Sequence, residues 1–136
     1  MLETGIYVRV STEEQAKEGF SIRAQEQKLK DYARVKDWSI HKIYIDEGIS
    51  GKNITDRPQI NELIKDIKKG LVKNVLIFKI DRLTRSTADL IYLINLFNDY
   101  NCAFNSLYFI AYVSSISITC RSCAKAVTLF DFSFKA

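Results

Sequence analysis

Apolar and polar positions divide the first hundred residues into alternating strand-like and helix-like stretches. Residues 5–10 form a short, nearly continuous apolar run, Gly5-Ile6-Tyr7-Val8-Arg9-Val10, as in a buried strand. A helix is predicted next, with Ile22, Leu29, Tyr32 and Ala33 on one face. Thr12 and Gln15 have capping-box spacing ahead of it, and Ser21 is a rival start. Residues 40–45, β-branched and aromatic, predict a second strand, and residues 46–57, rich in Gly, Ser, Asn and Asp, a loop. Pro58 then opens a helix whose Ile60, Leu63, Ile64 and Ile67 follow the i, i+3, i+4, i+7 spacing, with Gly70 at its stop. Residues 72–78 predict a third strand, and Leu90, Leu93, Ile94 and Phe97 another amphipathic helix, preceded by Ser86 and Asp89 at capping-box spacing. Residues 101–105 suit a fourth strand. Strands alternating with helices imply right-handed crossovers, so the expected fold class is α/β: an open, mainly parallel sheet flanked by helices.

The pattern changes after about residue 104. From Phe104 onward only Arg121, Lys125, Asp131 and Lys135 are charged, and no helical period is visible. Such weakly charged, β-prone windows suit extra strands or a poorly ordered end, and are an aggregation hazard when exposed.

Composition narrows the class without choosing a function. A chain of 136 residues is one domain by size, and with 47% hydrophobic and 26% charged residues it is too apolar to be disordered. The net charge of +4 is compatible with a polyanionic partner. Cys102, Cys120 and Cys123 form an odd set with no secretory leader ahead of them, which predicts a reducing, cytoplasmic setting. The apolar run 107–119 is interrupted by serines and shorter than the roughly 20 residues of a membrane span, so no membrane segment is expected.

Candidate chemistry gathers where the predicted strands end. In an extended strand alternate side chains share a face, so Tyr7, Arg9 and Ser11 point one way and Ile6, Val8 and Val10 the other. In open α/β sheets ligands bind outside the carboxyl ends of the strands. Ser11 follows the first, the loop with Ser50, Gly51 and Arg57 the second, and Asp81, Arg82 and Arg85 the third. Several guanidinium groups around one hydroxyl suit phosphoryl transfer, because each is planar, permanently charged and able to hold two oxygens. A serine needs activation, and the single histidine, His41, falls inside the second strand. Asp81, a neighbouring arginine acting electrostatically, and water are the candidates for managing the proton. A plainer interpretation makes Ser11 a helix start and Arg9, Arg82 and Arg85 solvated charges. Neither a Walker loop nor a dinucleotide fingerprint is present. Cys120 and Cys123 read as incidental thiols, not half a metal site. Lys65, Lys68 and Lys69 read as a solvated helix face.

Three ordered motifs carry a family resemblance: Tyr7-Val8-Arg9-Val10-Ser11-Thr12 with Gln15, then residues 46–58 including Ser50-Gly51 and Arg57-Pro58, then Asp81-Arg82-Leu83-Thr84-Arg85. Over about residues 3–107 the chain resembles the catalytic domain of the serine recombinases, the resolvase and invertase family. The segment Ser21-Ile22-Arg23-Ala24-Gln25 and the long loop before Arg57 look most like the large members, which include phage integrases and transposon recombinases. The resemblance implies that Ser11 attacks a DNA phosphodiester to give a 5′-phosphoserine link, with no metal or nucleotide cofactor. It implies that Arg9, Arg57, Arg82 and Arg85 bind phosphate and that Asp81 organises them or assists proton transfer. Tyr7, Gln15, Gln25 and Ser50 would line or support the site. DNA is the implied partner, and a homodimer or a tetramer the implied assembly. Past residue 107 the family pattern would continue into a long charged helix and a DNA-binding domain. The expectation here is a catalytic unit over residues 1–107 and a divergent apolar tail over 108–136, as in a shortened or frameshifted product. The alternative to a recombinase is an inactive remnant acting at most as a DNA- or partner-binding module. A flavodoxin-like small-molecule binder would share the fold class but explain none of the arginines.

Overall fold

The computed structural model describes residues 2–11, 22–48 and 54–108. Strands β1 (Glu3–Val10), β2 (Ser39–Glu47), β3 (Asn74–Lys79) and β4 (Ala103–Tyr108) alternate with α1 (Ile22–Val35), α2 (Pro58–Lys68), the single turn α3 (Ile80–Leu83) and α4 (Thr87–Asp99). The four strands pair in parallel in the order β2-β1-β3-β4. This is the α/β class that the alternating pattern predicts.

The period of two along β1 sorts its side chains between two cores. Tyr7 joins Tyr44, Val75 and Ile77 against Ile60, Leu63 and Ile67 of α2 and Leu93 and Phe97 of α4. Ile6, Val8 and Val10 join Leu76 and Phe78 against Leu29 and Ala33 of α1 on the opposite face. Strands β1 and β3, covered on both faces, accordingly read as unbroken apolar runs. The edge strand β2 begins exposed, at Ile40, His41 and Lys42. At Gly5 the sheet and α2 come so close that an added Cβ would lie 2.9 Å from Leu63 Cδ1 and 3.1 Å from Val72 Cγ1.

Helix ends follow one scheme with different residues. After α2, Gly70 takes φ 75°, Leu71 N–H donates to Asp66 O at 3.0 Å and Gly70 N–H to Ile67 O at 2.9 Å, a Schellman closure. Asp37 after α1 (φ 58°) and Asn101 after α4 (φ 51°) make the same pair of bonds. These closures delay the next strand: β3 starts at Asn74 instead of 72, releasing Val72 into the core, and β4 spans Ala103–Tyr108 instead of 101–105. Strand β2 runs two residues further than its β-branched stretch, because pairing of Arg9 with Asp46 and Val10 with Glu47 extends the ladder.

The strand order creates a crevice. The chain moves from β1 outward to β2, then returns to β3 on the other side of β1. The connections leaving β1 and β3 therefore diverge to opposite faces at the carboxyl edge, the switch point at which open α/β sheets take ligands. Among the described residues no helix is long and apolar enough to cross a membrane.

Candidate active site

Strand β1 delivers Tyr7, Arg9 and Ser11 to this crevice, and all three are buried. Arg9 reaches across to the end of β3, where its Nε donates to Arg82 O at 3.1 Å and its Nη2 to Asp81 O at 2.8 Å. Those carbonyls are available because a four-residue helix satisfies few of its own. Turn α3 follows β3 without an intervening loop, which puts Arg82 beside β1, buried, and leaves Asp81 and Arg85 exposed.

A second set of contacts fixes Arg57, also fully buried. Its Nε and Nη2 donate to Tyr7 Oη at 3.2 and 2.8 Å, and Nη2 also donates to Leu83 O. Its Cζ lies 5.3 Å from the Tyr7 ring centroid. Its Nη1 is buried with no hydrogen-bond partner. Tyr7 O–H in turn donates to Asp46 Oδ2 at 2.9 Å. The same carboxylate accepts from Gln59 N–H at 3.1 Å and Ile60 N–H at 3.2 Å, the first free amides of α2. Arg57, the N-cap residue, offers no side-chain cap, and Pro58 has no N–H. Asp46 thus closes α2 from a neighbouring strand, where the helix dipole also favours an anion. Burial raises the Tyr7 phenol well above its usual range, opposed by the Arg57 charge and assisted by the Asp46 carboxylate. Tyr7 is therefore a neutral hydroxyl that accepts from a cation and donates to an anion.

Three guanidinium groups, those of Arg9, Arg57 and Arg82, are buried, and so is Ser11 at the end of β1. Burying a cation costs several kcal/mol unless opposite charge is supplied. An oxyanion with several oxygens, such as a phosphodiester, is the ligand whose geometry fits such forks.

Comparison with known proteins agrees with that chemistry. Residues 4–129 match the family model "Resolvase, N terminal domain". The chain belongs to the resolvase family of serine recombinase catalytic domains. It is 54% identical over 68 residues to the "Uncharacterized immunity region protein 3" of Bacillus phage phi105, covering 50% of this chain and 82% of that relative. To the "Putative DNA recombinase" of Bacillus subtilis (strain 168) it is 48% identical over 80 residues, covering 59% of this chain and 15% of the relative. The crystal structure of the N-terminal catalytic domain of TP901-1 integrase superposes with a TM-score of 0.73 at 36% identity, covering 93% of this chain and 90% of that one.

In this resolvase-family domain the sequence-derived residues fall into three groups. Arg57 is bonded to Tyr7 and Arg9 to the carbonyl of Arg82, Ser11 is buried one residue past β1, and the burial of Arg9 and Arg82 removes the plainer interpretation that they are solvated charges. Asp81 enters through its carbonyl while its side chain faces outward, and Arg85 lies at the exposed rim. Gln25 is buried in the first described turn of α1, on the same side as Leu29 and Ala33, and its Oε1 has no hydrogen-bond partner. Gln15 and Ser50 lie outside the described residues, as do Thr12 and Gly51.

Asp46 was not among the candidates drawn from sequence. It reads there as the start of the loop after a β-branched run and as the first residue of the second family motif, with no role of its own. His41 is exposed on β2, Lys65 and Lys68 are exposed on the second half of α2, and Lys69 is exposed just past its end. Cys102 is buried and free, its thiol pushed up to about 12 by burial. Cys120 and Cys123 lie outside the described residues. A groove of about 640 Å³ opens beside the turn preceding α2, between Thr55, Lys65, Asp89 and Tyr92, and none of the catalytic candidates lines it.

Proposed function

We propose that this chain is the catalytic domain of a site-specific DNA recombinase that cuts and rejoins DNA through Ser11. The observation that carries the reading is the set of buried guanidinium groups at the carboxyl ends of β1 and β3, with Arg57 Nη1 left without a partner beside Tyr7. In the forward step Ser11 Oγ forms a bond to phosphorus and the P–O3′ bond breaks. The serine proton leaves to solvent or to a nearby acceptor, and the 3′ oxygen takes one up to become a hydroxyl. Arg9, Arg57 and Arg82, with Arg85 at the rim, stabilise charge on the equatorial oxygens, the term that donors fixed in advance supply best. Attack of a 3′ hydroxyl on the phosphoserine reverses the step. The link conserves the energy of the phosphodiester, so rejoining needs no nucleotide. Tyr7 holds Arg57, and Gln15, Gln25 and Ser50 belong to the supporting shell. In this reading Asp81, in turn α3, organises the arginines, its carbonyl accepting from Arg9 Nη2, or assists proton transfer. DNA as partner, assembly into dimers or tetramers, and a cytoplasmic site of action are parts of the same reading.

The test is covalent capture on a pool of nicked duplexes of random sequence. Wild type is expected to form an adduct stable to denaturant, and Ser11→Ala none. An adduct that survives Ser11→Ala, or no adduct from wild type, overturns the reading. One finding favours a second reading, a DNA- or partner-binding module without turnover. The chain spans 15% of the Bacillus subtilis relative, while the phage relative is itself shorter than this chain. Duplex binding without adduct formation is its signature.

A further inference from the structure

One side chain outside the site gathers the turn from which Arg57 enters it. Asn61 stands on the first turn of α2, and its Nδ2 donates to Arg57 O at 2.9 Å and Ile54 O at 3.1 Å, with Thr55 O at 3.5 Å. Arg57 N–H also donates to Ile54 O at 3.1 Å. Carbonyl oxygens surround this end of the amide, which fixes it as the nitrogen, since oxygen there would face only acceptors. Polar side chains near a helix start ordinarily accept from its free N–H groups. Here Gln59 N–H and Ile60 N–H are already taken by Asp46, so Asn61 works in the opposite sense, as a donor to the incoming chain. The start of α2 is held from two directions, and Arg57 lies between them with extended backbone (φ −116°, ψ 95°).

We infer that Asn61 is a positioning residue for Arg57, fixing the backbone from which that guanidinium reaches its anion. The inference rests on the reading of Arg57 as a phosphate-binding group and adds a residue that reaches Arg57 through its backbone carbonyl and not through its guanidinium. Its physical basis is leverage. The guanidinium sits at the end of a long side chain, and a small rotation of the turn displaces it by about 1 Å, a misplacement that costs roughly 100-fold in rate in a well-ordered site.

The experiment compares Asn61→Ala and Asn61→Asp in the full chain with Arg57→Ala and with Asn74→Ala. Asn74 binds Thr4 and Asn105 at the opposite edge of the sheet and serves as a stability control. Two readouts are taken: the adduct rate at saturating nicked duplex, and proton–nitrogen spectra of the free protein reporting the Arg57 backbone amide and Nε–H. Asn61→Ala is expected to slow the adduct step roughly 10- to 100-fold with KM within about twofold. Asn61→Asp, which faces the carbonyls with acceptors, should be no better. Both should shift the Arg57 Nε–H signal and speed exchange of its amide at least about tenfold, and Asn74→Ala should do neither. Wild-type exchange and Nε–H shift in Asn61→Ala overturn the inference. So does a wild-type adduct rate in that variant where Arg57→Ala abolishes the adduct. If Arg57→Ala leaves the adduct intact, the assignment of Arg57 fails, and the exchange measurement still decides the role of Asn61.

Discussion

Replacing Asp46 with asparagine tests a carboxylate that three donors share. Asp46 Oδ1 accepts from Gln59 N–H, and Oδ2 accepts from both Ile60 N–H and Tyr7 O–H. An amide keeps one acceptor and sets an NH2 group against at least one of these donors, in a position fully shielded from water. Hydrogen bonds to a charged acceptor are worth about 1.5–3 kcal/mol each, and leaving a buried donor unmade costs about 1–3 kcal/mol. Tyr7 cannot absorb the change by reorienting, because its oxygen already accepts twice from Arg57. Loss of one of these bonds, with the other two weakened because they no longer end on a charge, gives about 2–4 kcal/mol, a large share of a typical total of about 5–15 kcal/mol. For a domain of this size that lowers Tm by roughly 8–16 °C. The assay is urea unfolding followed by circular dichroism, in which Asp46→Asn should move the midpoint and leave the slope m unchanged. A double-mutant cycle with Tyr7→Phe should show about 0.5–3 kcal/mol of coupling, since the phenylalanine removes a bond that the asparagine weakens. A loss below about 0.5 kcal/mol, the scale of a neutral surface change, or strictly additive single losses, would refute the argument that one carboxylate ties Tyr7 to the start of α2.

Further outcomes follow from burial and close approach. The Cys102 thiol is pushed up to about 12 by burial, and the Tyr7 and Tyr44 phenols are raised by burial, Tyr44 also by its bond to Asp66. These groups ionise at lower pH when unfolded, so their contribution is full below about pH 8.5 and is lost as pH climbs toward the folded values. Urea midpoints should fall steadily between roughly pH 9 and 11, and a flat profile there would contradict the assignment. Gly5→Ala would place its methyl 2.9 Å from Leu63 Cδ1 and 3.2 Å from Tyr44 Cε2. It should cost about 1–3 kcal/mol in the same assay, and wild-type stability would show that α2 can retreat from β1.

The amino-acid sequence by itself determined the elements and the inventory of chemistry. The unbroken apolar run of β1, the i, i+3, i+4, i+7 spacing of α2 and the Ser86 cap, whose Oγ accepts from Asp89 N–H, are local patterns set by helix and strand periodicity. Local stereochemistry also put Tyr7 and Arg9 on the face away from Ile6 and Val8, and Gly70 at a helix stop. Only the tertiary structure decided that β1 lies between β2 and β3, because strand order depends on which faces pack and leaves no local trace. That order made a common site of residues more than seventy positions apart, such as Arg9 and Arg82. It also separated Arg82, turned inward, from Asp81 and Arg85, turned outward, although the three are nearly adjacent in the chain. Asp46 was beyond sequence reasoning for the same reason: its role lies in bonds to the free N–H groups of α2, which come within reach only when β2 docks beside that helix. Asn61 binds carbonyls of the turn just before it, a local arrangement that no helical or strand period marks.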